Sequence, residues 1–426
     1  MAASFVATTT IPNYQDILDG NVHKKVPLNT YVSQLEPIYR SIPSQLPTPT
    51  ATIAPYSITP INPKFDPLVH LQYYANGSAG KDQYNNTRRL TLDQLGLSNP
   101  QMQISPIGVS DPFPLFTSEA VNIMRSELLA KENFMKYARY CHSSTTGMDC
   151  VVRGYVKDND GVVNCEFIHD AWTHPATLEL ISRMAGVELE VVIDFEIAHS
   201  NISMKTPEEA DAEIARHEQQ QQEQEMNSEE GANAATTTTS PTKSEDDIRA
   251  VVGWHHDSYP FVCVLMLSDT TNMIGGETSL RMGKTSPEAK QEIAVVPGPK
   301  QGSACVLQGR LIEHIAPTPQ GLSERITMVT SFRARDPALP DTSILDTVKP
   351  EVNFGSRYHE FYQQWINYRC DLVKQRLDLI KSGAMVEIGG DGVGNGGKKV
   401  FDKKKMIEKL KELEDYIRVT HEEMLC

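Results

Sequence analysis

No stretch of this 426-residue chain approaches the ~18 consecutive apolar residues that a membrane helix requires, so a membrane partner is not expected. The opening segment, MAASFVATTTIPNYQDILDG, lacks a basic region followed by an apolar core, and no secretory signal is expected. Cysteine is sparse and unpatterned. The seven residues run from Cys141 to Cys426 without a CxxC, which excludes a zinc ribbon and argues against a disulfide framework. Positive charge is also short: 40 Lys and Arg face 55 Asp and Glu, a formal charge of −15. A generic binder of nucleic acid or anionic membrane would carry the opposite balance, so no nucleic-acid partner is expected. Reduced thiols imply an intracellular, cytoplasmic protein. The cluster Lys398, Lys399, Lys403, Lys404 and Lys405 reads as a solvated face and leaves a nuclear signal open. What is present is ample for a core, with 39% hydrophobic and 7% aromatic residues.

Residues 1–65 are polar and Pro-rich, and read as an extended arm. Residues 66–187 form a mixed, helical part that packs on the core. Within it, Thr117 or Ser118 can cap a helix whose Ala120, Val121, Met124, Leu128 and Leu129 follow helical spacing. A second helix starts at His174-Pro175 and ends at Gly186. The core spans 188–340. It opens with ELEVVIDFEIAHSNISM, where alternation predicts a half-buried strand with Val191, Ile193, Phe195 and Ile197 on one face. Residues 205–247 interrupt it with Gln, Glu and Thr runs, and read as a low-complexity insertion, disordered or in part a solvated helix. Strand signals then resume at close spacing in RAVVGWHHD, FVCVLMLSD, GETSLRMG, EIAVVP, SACVLQG and RITMVTSFRA. Short strands without intervening helices predict an antiparallel sandwich or barrel, mainly β with flanking helices, an α+β chain. Residues 350–388 read as a helix, 389–400 as a Gly-rich linker and 401–426 as a charged helix. In that last helix Met406, Leu410, Leu413 and Ile417 form one apolar stripe that could mediate self-association.

Three of the 12 histidines stand out. His255, His256 and Asp257 end VVGWHHD, and His314 ends VLQGRLIEH. Strand side chains alternate, so His255 and Asp257 share a face while His256 points away. The residue two after His256 is Ser258, which supplies no carboxylate, so parity selects His255. Two imidazoles and one carboxylate on one octahedral face are the ligand set of non-haem Fe(II) oxygenases. An HxD triplet alone is common strand-end sequence. Arg325, eleven residues after His314, sharpens the pattern, because a guanidinium there could pair bidentately with a carboxylate and Thr327 shares its face.

His255-x-Asp257, His314 and Arg325-x-Thr327 together resemble the signature of the 2-oxoglutarate/Fe(II)-dependent dioxygenases. The strings WHHDSYPFVCVLMLSDTT, MIGGETSLRMGK, LQGRLIEHIAP and ERITMVTSFRARDP are similar to a group of fungal dioxygenase-like proteins. That group includes amino-acid-modifying, aziridine-forming oxygenases of secondary metabolism. RGYVK and HDAWTHPATLELISRMAGV extend the likeness to about 110–380. The resemblance implies a double-stranded β-helix, or jelly roll, with Fe(II) on His255, Asp257 and His314 as the catalytic centre. It implies 2-oxoglutarate held by Arg325 and Thr327, with O₂ as second cosubstrate. Succinate and CO₂ would be released as a substrate C–H bond is oxidised.

The substrate pocket is less defined. Arg153, Asn201 and Tyr259 are candidates, and Arg153 would suit a small, carboxylate-bearing molecule such as an amino acid. Each has a plain structural alternative: an internal ion pair, a strand-end cap, and packing. Glu277, after Gly275-Gly276, reads as turn sequence and not as a ligand. His169, Asp170 and His174 cluster without a third ligand segment. Gly392-x-Gly394-x-x-Gly397 matches a dinucleotide motif in form but lacks the surrounding βαβ unit. A catalytically silent jelly-roll scaffold, or an oxygenase acting on a protein, are the competing functions.

Overall fold

The computed structural model describes residues 63–130, 134, 139–143, 147–153, 156, 157, 163–230, 253–284, 286, 290–317, 319–349, 360–383, 385–388 and 398–425. Most of the Pro-rich arm, residues 231–252 and the Gly-rich run 389–397 lie outside them. The chain divides after Ser343 into two compact units.

In the first unit, short helices α1 (Pro67–His70), α2 (Gln72–Ala75) and α3 (Gly77–Asn85) lead into strands β1 (Arg89–Thr91), β2 (Ile107–Ser110) and β3 (Phe113–Pro114). Helix α4 (Ser118–Leu128) is capped by Thr117, whose hydroxyl accepts the Ala120 N–H at 3.3 Å. Its Ala120, Val121, Met124 and Leu128 are all buried. Strands β4 (Arg139–Ser143), β5 (Gly147–Arg153), β6 (Val156–Lys157) and β7 (Val163–Asn164) precede helices α5 (Glu166–Thr173) and α6 (Pro175–Ala185). His174 caps α6, its Nδ1 accepting the Ala176 N–H at 3.1 Å. Gly186 ends the helix at φ +70°, and a Cβ there would lie 2.9 Å from Ile107 and Ser105. Only glycine fits both the backbone and the space.

The expected strand over 188–204 is broken. Strand β8 (Leu189–Val191) stops, a single 3-10 turn covers Asp194–Glu196, and β9 (His199–Met204) resumes. Both strands pair with the same edge of β15 (Glu324–Ala334): β8 with Phe332–Ala334 and β9 with Glu324–Val329. The turn steps over the residues between. It is held by the Val192 N–H on the Ser331 carbonyl at 3.1 Å and the Ala198 N–H on Thr330 Oγ1 at 2.9 Å. Val192, Ile193, Phe195 and Ile197 are all buried, so alternation does not describe this segment.

The insertion begins as an ordered helix. Helix α7 (Pro207–Glu230) starts at a reciprocal capping box between Thr206 and Glu209. Glu213 bonds Lys205 Nζ at 2.9 Å and the Gly321 N–H at 2.8 Å, and Ala210 is buried. Its first turns therefore belong to the body. The helix is the solvated one that the composition allowed, with first turns anchored by individual polar contacts and not by an apolar stripe.

Strands β10 (Phe261–Met266), β11 (Thr278–Arg281), β12 (Ile293–Val296), β13 (Ser303–Leu307) and β14 (His314–Ile315) complete the unit with β15. The large sheet has ten strands, its main path running β1-β2-β13-β10-β15-β9-β5-β4, with β3 beside β13 and β8 beside β15. A three-stranded sheet runs β12-β11-β14. All of these pairings are antiparallel. The two sheets face each other across one apolar cluster: Val109, Val262 and Leu307 from the large sheet meet Leu280 and Val296 from the small one. The other face of the large sheet takes helices. Trp172 of α5, fully buried, donates its indole N–H to Met328 Sδ at 3.1 Å and stands 6.4 Å from the Phe332 ring.

The second unit holds helix α8 (Glu360–Ser382), the strand pair β16 (Met385–Ile388) with β17 (Lys398–Phe401), and helix α9 (Lys403–Glu422). The buried face of α9 differs from the expected stripe. Met406 and Leu413 are buried, but Tyr416 and Thr420 join them while Leu410 and Ile417 are exposed. Polar anchors decide the rotation. Buried Arg369 of α8 donates to the Tyr416 carbonyl at 3.0 Å and to Thr420 Oγ1 at 2.8 Å, and Trp365 Nε1 donates to the Thr420 carbonyl at 3.0 Å. The Arg369 guanidinium also lies 3.4 Å from the centroid of the Tyr416 ring.

Candidate metal centre

Of the strand expected before the metal candidates, only Gly253–Asp257 lie among the described residues, and there His255 forms one bridge. His255 and His314 exchange both backbone hydrogen bonds, at 3.1 and 2.9 Å. Residues directly opposed in an antiparallel pair put their side chains on the same side, and the two rings lie 4.3 Å apart. Asp257 is held two residues on, its N–H on the Gly309 carbonyl at 2.9 Å. Alternation leaves His256 exposed on the other side.

Each ring is oriented from behind. His255 Nδ1 is 2.7 Å from the Gly253 carbonyl and His314 Nδ1 is 2.9 Å from that of Ile312. A carbonyl only accepts, so Nδ1 carries the proton and Nε2 keeps its lone pair. Both Nε2 atoms face the same carboxylate: His255 Nε2 is 3.6 Å from Asp257 Oδ1, and His314 Nε2 is 3.6 Å from Oδ2. That is too long for a hydrogen bond. It suits ligands about 2.1 Å from a shared ion, which lie about 3.0–3.4 Å apart. One ligand atom from each residue falls within 4.8 Å of the others, the only such trio of His, Cys, Asp or Glu among the described residues. Asp257 Oδ2 is buried with no hydrogen-bond donor among the described residues, a cost that a cation would remove. The donor set, the fixed Nδ1 atoms and the orphaned oxygen all fit a divalent metal.

The electrostatics are coupled. Burial works to raise the Asp257 pKa, but the His314 and His255 imidazoles outweigh it and hold the carboxyl below its ordinary range. Burial pushes His314 down despite Asp257. It opposes protonation of His255 too, but there the Asp257 carboxylate and the Gly253 carbonyl prevail and raise the pKa.

Sequence reasoning passed over three supports. Gly309 packs so closely on the carboxylate that a Cβ would lie 1.7 Å from Asp257 Oδ2; its signal was a glycine two residues past the end of β13, in LQGR. On the opposite face of the small sheet, Arg281 contacts the neighbours of both histidines. Its guanidinium lies 4.5 Å from the Trp254 ring and 2.6 Å from Glu313 Oε1. Trp254 precedes His255 and Glu313 precedes His314, so one guanidinium forms an outer clip across the residues that precede both histidines. Lys205 and Glu213 hold the loop that follows His314, Lys205 Nζ bonding the Pro319 carbonyl at 2.9 Å.

Arg325 and Thr327 lie on β15, on the face shared by Val329. Val329 packs on the cluster between the sheets, so this face looks toward the small sheet. His314 stands opposite Leu280, another member of that cluster, and therefore looks back across the same interior. Arg325 is half-buried and Thr327 buried. The preceding Glu324 turns to the helix side, where Arg125 grips it bidentately at 2.7 and 3.2 Å and the Ser268 hydroxyl adds a bond at 3.1 Å. That buried pair fixes the start of the strand.

Asn201 lies opposite Thr327, on the same face, and Arg153 occupies the register position opposite His199. Tyr259 is buried just before β10. Elsewhere, His169 contacts Asp170 at 3.4 Å, His174 is occupied as a helix cap, and Glu277 is exposed after a turn with Gly275 and Gly276 at φ +78° and +86°. Cys165, Cys263, Cys305 and Cys370 are free thiols. Among the described residues no helix is long and apolar enough to cross a membrane.

Neither a family model nor a curated protein sequence matches the chain. Solved structures do. An oxidoreductase of the 2OG-Fe(II) oxygenase family from Burkholderia pseudomallei is 15% identical, covering 47% of this chain and 73% of its own, with a TM-score of 0.28. A prolyl-4-hydroxylase from Pseudomonas putida is 13% identical over 54% of this chain and 94% of its own, at 0.30. The non-heme alpha ketoglutarate dependent epimerase SnoN of nogalamycin biosynthesis is 11% identical over 57% and 83%, at 0.31. At these scores the chemistry rests on the residues themselves.

Proposed function

We propose that this protein is a non-haem iron oxygenase that uses 2-oxoglutarate and O₂ to oxidise a C–H bond of a small molecule. The observation that carries the reading is the trio His255, Asp257 and His314, with both Nδ1 atoms tied to backbone carbonyls and both Nε2 atoms turned to one carboxylate. A bound Fe(II) with 2-oxoglutarate and O₂ supplies C–H oxidation coupled to decarboxylation, with succinate and CO₂ as coproducts.

The chain's own residues do the rest. His255, Asp257 and His314 would hold the metal. Arg325 takes the distal carboxylate of 2-oxoglutarate, and Thr327, on the same face, adds a hydroxyl bond. Asn201, Arg153 and Tyr259 are the groups we assign to the oxidised substrate. On this reading the two facing sheets are the halves of a double-stranded β-helix. The strings around the metal ligands point to the fungal amino-acid-modifying oxygenases, and hence to an amino acid or secondary metabolite as substrate.

The test is calorimetric binding of Fe(II), then of 2-oxoglutarate, under anaerobic conditions, followed by succinate release in air with a panel of amino acids and metabolites. His255→Ala, Asp257→Ala and His314→Ala should each lose the metal, while His256→Ala retains it. Wild-type protein that binds no Fe(II) overturns the proposal. Metal and 2-oxoglutarate binding with no succinate, even uncoupled, would favour a silent scaffold.

A further inference from the structure

Helix α9 exposes a second apolar stripe that its packing on α8 does not use. Ile407, Leu410 and Ile417 are 45%, 50% and 49% exposed. With Lys403, Glu414 and His421 they recur at intervals of four and three residues, the spacing of a coiled-coil seam. The buried face, Met406, Leu413, Tyr416 and Thr420, runs alongside it.

The charges of α9 are divided by halves. Lys403, Lys404, Lys405, Lys409 and Lys411 crowd the first half against one acid, Glu408. Glu412, Glu414, Asp415 and Glu422, with Glu423 just past the helix, crowd the rest from Glu412 on against one base, Arg418. This order opposes the helix's own dipole, which favours acids at the start and bases at the end. Intrahelical pairs engage Lys404 with Glu408, Lys409 with Glu412, and Arg418 with Asp415 and Glu422. Lys403, Lys411 and Glu414 have no ion-pair partner among the described residues. A helix whose charges work against its own dipole, beside an unused apolar stripe, is complementary to a reversed copy of itself.

We propose that α9 pairs antiparallel with α9 of a second copy of this chain, about a two-fold axis near Glu412. Such a pairing sets Ile407 against Ile417 of the second copy and Leu410 beside its Glu414. Lys411 then approaches Glu414 of the second copy, and each basic half lies along an acidic half. The contact is isologous, as a two-fold axis requires. Four isoleucines and two leucines make a small seam, so the dimer is a concentration-dependent equilibrium and not an obligate assembly.

The experiment is sedimentation velocity on the full chain over a range of concentrations, at low and high salt, with circular dichroism as the folding control. Wild type should move from monomer to dimer as concentration rises, and high salt should weaken the dimer. Leu410→Glu and Ile417→Glu, at exposed positions, should weaken it at least about tenfold without loss of helix. Two charge variants test direction. Lys403→Glu/Lys404→Glu/Lys411→Glu and Glu412→Lys/Glu414→Lys/Glu422→Lys should each be monomeric alone and dimerise when mixed. A wild-type monomer at every concentration overturns the proposal and leaves the stripe to a different partner. A dimer indifferent to Leu410→Glu and Ile417→Glu, or strengthened by salt, overturns it equally.

Discussion

Replacing Gly309 by alanine tests the candidate metal centre without substituting any of its three residues. The added Cβ would stand 1.7 Å from Asp257 Oδ2, 2.5 Å from Cγ and 2.8 Å from Cβ. Ordinary contact begins beyond 3 Å, so the carboxylate must retreat by more than an ångström or the Gly309 backbone must yield. The Gly309 carbonyl accepts the Asp257 N–H, so the two residues cannot simply part. Overpacking of this kind costs about 1–3 kcal/mol. A misplacement of about 1 Å can cost about 10²-fold in a positioned site. Gly309→Ala should therefore lower Fe(II) affinity, by anaerobic titration, at least about a hundredfold, and reduce the midpoint of thermal unfolding. The double variant Gly309→Ala/Asp257→Ala removes the two shortest contacts and leaves the 2.8 Å one. It should recover most of the stability and none of the metal. Wild-type affinity and stability in Gly309→Ala would refute the close packing of that glycine on the carboxylate.

Arg325→Ala should weaken 2-oxoglutarate by about 2–5 kcal/mol while leaving Fe(II) affinity near wild type, measured by sequential titration. Arg281→Met removes the outer clip and should lower Fe(II) affinity although Arg281 touches no ligand; the exchange Arg281→Glu/Glu313→Arg should restore part of it. Deleting residues 219–244 with a flexible replacement should leave stability and metal binding intact, because the anchored Ala210 and Glu213 are kept. A deletion from residue 208 removes both and should lower the thermal midpoint. Fe(II) affinity should fall on acidification from about pH 8 to about pH 6. A metal would bind the neutral imidazole, and the raised pKa of His255 makes proton competition begin above the usual imidazole range; an affinity flat across this interval would contradict that.

Much of this molecule is local and can be read along the chain. Thr117 before an apolar run, His174-Pro175 and Gly186 mark helix ends because capping needs only neighbours within four residues. The shared face of His255 and Asp257 is likewise a property of extended-chain alternation, which the single described bridge at His255 preserves. Features set by partners distant in sequence were decided by tertiary structure alone. The strand over 188–204 breaks because β8 and β9 pair with separate stretches of β15. The rotation of α9 is set by Arg369 and Trp365, which draw Thr420 inward and leave Ile417 outside, a choice that hydrophobicity ranks the other way. The start of the insertion is ordered because Glu213 meets Gly321, 108 residues on. The closeness of Gly309 to Asp257 exists only once the 51 residues between them have folded. Spacing along a chain records which side chains share a face. Which face meets which is fixed by long-range pairing, and only the folded sheets supply it.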